Sequence, residues 1–98
     1  GRGVVDLSVR NLAMSTAMVV AHRRSGDSSQ QAGSERVSAR CTELLRLLEP
    51  SLVKERLEQL LEAALVNQGD DAAFLSRWGY DAEQRGAICD SVYAVADD

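Results

Sequence analysis

The sequence has few of the residues on which most enzymes and metal sites depend. It contains one histidine, one proline and four aromatic residues among 98. A single histidine excludes zinc sites and catalytic relays that need two. The sequence also lacks a Gly-rich nucleotide-binding motif, a P-loop and a nucleophile elbow. We therefore expect no enzymatic activity, no metal and no cofactor. The alternative is a helical subunit of an enzyme whose active site lies elsewhere.

Cysteine and long apolar runs are equally scarce. A leucine-rich domain needs no disulfide, so we expect Cys41 and Cys89 to be reduced and partly buried, with a disulfide as the alternative. We find no uninterrupted apolar run near the ~18–20 residues of a membrane span. Asp6, Arg10 and Asn11 interrupt the N-terminal apolar stretch, which argues against a signal peptide. These features predict a cytoplasmic protein without a membrane span.

Charge is distributed unevenly along the chain. Residues 1–40 carry six arginines and three acidic side chains, a net charge of +3, whereas residues 41–98 carry five basic and twelve acidic side chains, a net charge of −7. The acidic half should repel nucleic-acid phosphates. The length fits one helical domain over residues 1–98. Because the chain begins with Gly rather than Met, we expect it to be excised from a larger protein.

The clearest helical pattern covers residues 50–68, and the other elements are expected to pack around it. Pro50 suits a first helical turn, and Gly69 suits the position after the end. Projection at about 100° per residue separates an apolar arc from a polar one. The apolar arc consists of Val53, Leu57, Leu60, Leu61, Ala64 and Leu65, and the polar arc consists of Glu55, Arg56, Glu58, Gln59 and Glu62.

A second helix is predicted over residues 4–24, with Asp6 in or near its N-cap and first turn. Val5, Val9, Leu12, Val19 and Val20 form one apolar face, and Leu7, Met14, Met18 and Ala21 form a nearly opposite one. Ser8, Asn11, Ser15 and His22 leave a narrow polar strip. Such a helix is either central to its own bundle or shared with another chain, so we expect residues 4–24 to include a contact with a partner or a second copy. A short strand over residues 17–20 is a minor alternative.

The next segment, residues 25–34, is rich in Gly, Ser and Gln, and we expect a flexible loop there. Ser34 then caps a predicted helix over 35–48, which breaks at Glu49 because a residue before proline avoids the helical region. A kinked continuous helix over 35–68 is the alternative.

The C-terminal part predicts a short helix over 71–78, capped by Asp70 or Asp71, and a longer one over 82–96. Asp81 and Gln84 form a variant of the capping box at the start of the latter. Gly86 within it is a candidate for a close helix crossing. The fold class is thus all-α, a bundle of four to five helices. An ordinary αα-hairpin is favoured over a DNA-binding helix-turn-helix for this pair, since the second helix is acidic.

Three aromatic residues, Phe74, Trp78 and Tyr80, lie close together in the sequence. They either lock the last hairpin to the bundle or line a groove for a partner. Together with Leu7, Met14 and Met18 they are the candidate partner-binding residues. We expect a regulatory, adaptor or oligomerisation module that binds another protein, or a second copy of itself, through a helix face or an inter-helix groove. Membrane, nucleic-acid and small-molecule partners are not expected. The alternative is a DNA-binding regulatory domain that uses residues 71–96.

Overall fold

The computed structural model describes residues 1–97, and within them it contains five α-helices and no strand. This confirms the all-α class and replaces the suggested strand at 17–20 with helix. The helices are α1 (Arg2–Arg24), α2 (Ser28–Leu47), α3 (Pro50–Val66), α4 (Asp70–Arg77) and α5 (Ala82–Ala96). α1 packs against α2, α3 and α5, and α3 also packs against α4 and α5.

The prediction of a loop over 25–34 was wrong, since only residues 25–27 separate α1 from α2. Gly26 turns the chain with a φ of 73°. Asp27, rather than Ser34, caps α2, because its Oδ1 accepts a hydrogen bond from the backbone N–H of Gln30 at 3.0 Å. The polar composition misled the prediction because α2 lies against α1, with the Thr16 and Ser38 hydroxyls 3.4 Å apart. Tertiary packing thus outweighs weak local helix propensity.

Pro50 separates α2 from α3 as predicted, so the chain does not form a continuous kinked helix. The Glu49 carboxylate accepts a hydrogen bond from the Ser51 backbone N–H and caps α3. α3 ends earlier than predicted, at Val66, because Asn67 adopts the left-handed conformation with a φ of 58°. Gly69 instead precedes α4 with a φ of 88°. α4 therefore begins at Asp70, and neither predicted aspartate is its cap.

α1 contributes more buried residues to the core than any other helix, in place of the predicted α3. Four of its residues are inaccessible to solvent: Val9, Leu12, Ala13 and Ala17. They contact a core to which every other helix contributes, including Leu45, Leu60, Leu75 and Ile88. In α3, Ala63 is buried and Leu65 is exposed. The face of α3 that packs against the core is therefore rotated about the helix axis relative to the predicted apolar face.

The N-terminal details of α1 also differ from the prediction. The helix begins at Arg2 after Gly1, so Asp6 lies beyond the first turn and does not cap it. Ser8 and Ser15 of the predicted polar strip are buried, and the Ser15 hydroxyl donates to the Asn11 carbonyl oxygen at 2.8 Å. That internal hydrogen bond allows a hydroxyl to lie in an apolar interface.

By length and composition alone, α1 is long and apolar enough to cross a membrane. An 18-residue window within it has a mean hydropathy of 1.3, and 44% of that window is buried in the protein. The core helix of a soluble protein passes the same test, so this observation is weak evidence for a membrane span.

α5 begins and ends as predicted. The Asp81 carboxylate accepts from the Gln84 backbone N–H, and the Gln84 side chain accepts from the Asp81 backbone N–H, both at 3.0 Å. This confirms the capping box. No atom lies within 4 Å of the position that a Cβ on Gly86 would take, so Gly86 does not mark a close crossing between helices of this chain.

Candidate interaction groove

An open, mainly apolar groove lies where the C-terminal ends of α2 and α5 meet α3. Its volume is about 570 Å³. The residues that line it come from three helices: Leu45, Arg46, Leu48, Pro50, Val53, Lys54, Leu57, Glu58, Leu61, Val92, Tyr93, Val95 and Ala96. Tyr93 is 51% exposed and stands at the edge of the groove. Concave apolar surfaces of this kind are typical of binding sites; we call this one the α3–α5 groove.

Arg46 ties two of the groove's walls together. Its guanidinium donates hydrogen bonds to the carbonyl oxygens of Ala94, Val95 and Asp97, and the bond from Nε to the Val95 carbonyl is 3.3 Å long. These carbonyls belong to the last turn of α5 and to its C-cap, which have no intrahelical donors. Arg46 therefore satisfies the end of α5 and fixes it to the end of α2, so that the groove is held open by the fold itself.

Carboxylates flank the α3–α5 groove on both helices. On α3, Glu58 lines the groove, whereas the next exposed carboxylate, Glu62, lines the separate pocket around Arg56. On α5, Asp90 and Asp97 lie three and four residues from Tyr93 and are exposed on its side of the helix. The lining also contains two exposed cations, Lys54 and Arg46. The three carboxylates Glu58, Asp90 and Asp97 outnumber these cations, so the groove and its rim carry a small net negative charge.

The three predicted aromatic residues do not form one surface. Phe74 and Tyr80 are buried and contact each other edge to face, with ring centroids 6.4 Å apart and an interplanar angle of 85°. The Arg10 guanidinium lies 5.3 Å from the Phe74 centroid, and burial raises the pKa of Tyr80. Trp78, by contrast, is 57% exposed. Phe74 and Tyr80 thus hold α4 to the bundle, and partner binding stays a prediction for Trp78 alone.

The other three predicted partner-binding residues lie on α1. Leu7 and Met18 are exposed and Met14 is half-buried. Met14 and Met18 line a shallow depression of about 490 Å³ together with Val37 of α2. The structure therefore brings the two methionines together and leaves Leu7 on the same helix face, nearer the N-terminus.

A separate polar pocket of about 360 Å³ surrounds the side chain of Arg56. Its guanidinium forms a bidentate ion pair with Asp71, including a 2.8 Å bond from Nη2, and a 2.9 Å bond to Asp6. Asp71 is 3% exposed and Arg56 11%. Arg56 was wrongly predicted to face solvent. The only sequence signal was one arginine among the glutamates of α3.

The chemistry of this pocket is that of an internal ion pair. The buried side-chain nitrogen and oxygen atoms within residues 1–97 all have hydrogen-bond partners. Over the same residues no group of three or more His, Cys, Asp and Glu side chains could hold a metal ion. The buried polar groups of the pocket therefore satisfy one another.

Two of the six arginines of the N-terminal half form ion pairs within the fold. Arg24 binds Asp81 at 2.7 Å and Glu83 at 2.6 Å, and Arg23 binds Glu83 at 2.8 Å. The hydrogen bond from Arg24, together with that from the Gln84 backbone, lowers the pKa of Asp81 to about 2. These ion pairs engage two of the arginines that the DNA-binding alternative would use. That alternative stays a prediction.

Both cysteines are unpaired and buried, Cys41 in α2 and Cys89 in α5. Desolvation raises the pKa of both thiols, and for Cys89 the nearby Asp90 raises it further. Such thiols are protonated at neutral pH and are weak nucleophiles.

The site and fold together define a small helical protein with an apolar groove. The chain matches, over residues 1–95, the family described as "Uncharacterised conserved protein UCP020893", and it belongs to that family. Neither the curated proteins nor the solved structures contain a significant match to the chain.

Proposed function

We propose that this protein is a protein–protein interaction module whose α3–α5 groove binds an amphipathic helix with basic flanks. The observation that carries the proposal is the groove itself: an open apolar channel, walled by three helices, on the acidic half of the chain. Amphipathic helices bind such grooves through apolar residues spaced three and four apart.

The length of the groove fits a short helix. From Pro50 to Leu61 its α3 wall spans about 16 Å at ~1.5 Å per residue, enough for roughly three helical turns of a partner. The half-exposed Tyr93 provides an aromatic side chain at the rim, a residue type enriched among interface hot spots. A partner helix would therefore bury its apolar face between Leu57, Leu61 and Tyr93.

Charge favours a basic partner. Glu58, Asp90 and Asp97 would lie beside the flanks of a bound helix. Complementary charge accelerates association and suppresses partners of like charge. The same argument disfavours an acidic helix and a nucleic acid at this surface.

The test is a titration of the isotope-labelled full chain with a model peptide of Leu and Lys, with Leu at positions i, i+3, i+4 and i+7. We expect NMR shifts confined to the groove residues and saturable binding. A Leu/Glu peptide should bind at least tenfold more weakly, and a peptide with the Leu and Lys order scrambled should not bind. Equal binding of the Lys and Glu peptides, or shifts elsewhere on the surface, would refute the proposal.

Two aromatic substitutions provide a matched comparison. Tyr93 and Trp78 have similar exposure, 51% and 57%, but only Tyr93 lines the groove. Tyr93→Asp should weaken binding of the Leu/Lys peptide at least tenfold, and Trp78→Asp should leave it unchanged. The reverse result would place the binding site at Trp78, a candidate partner-binding residue predicted from the sequence.

A further inference from the structure

The solvent-facing side of α1 carries an uncharged stripe that the α3–α5 groove does not involve. It consists of Val4, Leu7, Asn11, Met14 and Met18, spaced three and four residues apart in alternation. At about 100° per residue these positions fall within an arc of about 80°, while Val9, Ala13 and Val20 point the opposite way into the core. We call this set the α1 stripe. It spans about 21 Å at ~1.5 Å per residue.

Contacts within the fold engage the charges of α1 away from the stripe. Asp6 binds Arg56, and the Arg10 guanidinium lies over the ring of Phe74. At the other end of the helix, Arg23 and Arg24 bind the acidic residues that begin α5. The stripe is thus uncharged over four helical turns. A surface helix normally presents charged and polar residues to water, so an apolar outer face marks a contact surface.

α2 widens this surface. Val37 and Leu44 are both exposed and lie two turns apart on one face of α2. Val37 shares the shallow depression with Met14 and Met18, so the apolar side chains of the two helices are continuous.

The pattern of the stripe identifies what covers it. It has the a and d spacing of a two-stranded coiled coil, with Val4, Asn11 and Met18 at a and Leu7 and Met14 at d. A single Asn at an a position fixes register, because two such side chains satisfy each other across a two-fold axis. Asn11 lies at the centre of the stripe, seven residues from either end. In a parallel, in-register contact between two copies, therefore, Asn11 meets Asn11.

We infer that the α1 stripe binds the α1 stripe of a second copy of this chain, with the two Asn11 side chains facing each other on the two-fold axis. An interface formed by one helix and part of its neighbour is small, at the weak and reversible end of the range. The protein is therefore a monomer when dilute and a dimer when concentrated. This contact is separate from the α3–α5 groove, which stays open in the dimer.

The test is the solution mass of the full chain by light scattering over a hundredfold range of concentration. Leu7 and Leu65 are both 63% exposed, so Leu7→Glu and Leu65→Glu are a matched pair at equal exposure, on and off the stripe. We expect Leu7→Glu to weaken dimerisation at least tenfold and Leu65→Glu to leave it unchanged, with the helical circular dichroism of both retained. A monomer at every concentration, or equal effects of the two variants, would overturn the inference.

Position 11 provides a second measurement. Because the native thiols are buried, the wild type should form no disulfide-linked dimer on mild oxidation, whereas Asn11→Cys should form one readily. Ala73→Cys, exposed on α4, is the control and should cross-link far more slowly. Asn11→Val should strengthen association and broaden the distribution of oligomers. Equal cross-linking at positions 11 and 73, or no effect of Asn11→Val, would overturn the two-fold arrangement.

The dimer contact and the α3–α5 groove can be tested independently of each other. Tyr93→Asp should leave the dimerisation constant unchanged, and Leu7→Glu should leave binding of the Leu/Lys peptide unchanged. Loss of the dimer with peptide binding intact would contradict only this inference, and the converse would contradict only the proposed function.

Discussion

Two clusters of arginine and carboxylate side chains join distant parts of this chain, and they differ in their access to water. Arg56 binds Asp71 and Asp6 beneath α1, with Asp71 3% exposed. Arg24 binds Asp81 and Glu83 at the opposite end of α1, where all three side chains are about half exposed. Their geometry is similar, with several charge-assisted hydrogen bonds in each. Solvent screens the second cluster but not the Arg56–Asp71 pair of the first, so we expect their contributions to stability to differ widely.

The largest effect is expected when one partner of the buried cluster is removed. Arg56→Leu leaves the Asp71 carboxylate buried without a counter-ion and should lower the free energy of unfolding by about 3–5 kcal/mol in urea denaturation. Arg40→Leu, at an exposed position on α2, should change it by no more than about 0.5 kcal/mol. Combining Arg56→Leu with Asp71→Leu should recover most of the loss. Equal stability of Arg56→Leu and Arg40→Leu would show that the burial of the cluster has no energetic consequence.

An intermediate effect is expected at Gln84, which lies beside the exposed cluster but is itself buried. Its Nε2 donates a 3.1 Å hydrogen bond to the Ala17 carbonyl oxygen, and its Oε1 completes the capping box. Gln84→Ala removes both contacts and should cost about 1–3 kcal/mol by thermal or urea unfolding. Glu83→Gln removes only exposed ion pairs and should cost no more than about 1 kcal/mol. If Glu83→Gln were the more destabilising, the exposed charges and not the buried amide would hold α5 to α1.

The smallest effect is a pH dependence at the exposed cluster. The pKa of Asp81 is lowered to about 2, chiefly by the hydrogen bond from Arg24. The associated stabilisation is fully present above the unfolded-state pKa of 3.8 and is lost as the pH falls through about 2. Carboxyl NMR should give that midpoint in the wild type and a value closer to 3.8 in Arg24→Gln. Asp27 is the internal control, since its pKa is lowered chiefly by the Gln30 backbone N–H; a parallel change there would indicate a general effect.

The features that were predicted correctly from the sequence are those that depend on residues a few positions apart. Local signals were sufficient for α5, where Asp81 and Gln84 form the predicted capping box. Pro50 likewise marked the start of α3 correctly. These signals act between residues a few positions apart, so a pattern in the sequence contains them.

Contacts between distant residues were not predictable in this way. In the sequence, Arg56 lies among charged and polar residues and therefore resembles an exposed position of a helix. Only the packing of α3 against α1 and α4 brings Asp6 and Asp71 to its guanidinium. The start of α2 was missed because its polar residues are stabilised by α1 rather than by their own propensity. The α3–α5 groove depends on three helices at once, and its only sign in the sequence is the excess of leucine on α3.

The two buried thiols give the protein internal reporters of local opening. Cys41 lies in α2, one turn from Val37, and Cys89 lies in α5, one turn from Tyr93 of the groove. Each is protonated and shielded in the native state, so it reacts with a thiol reagent only when the helices around it separate. The labelling rates of the two cysteines therefore measure separately how often each half of the molecule opens. A ligand that closes one surface should slow the labelling of the thiol beneath it.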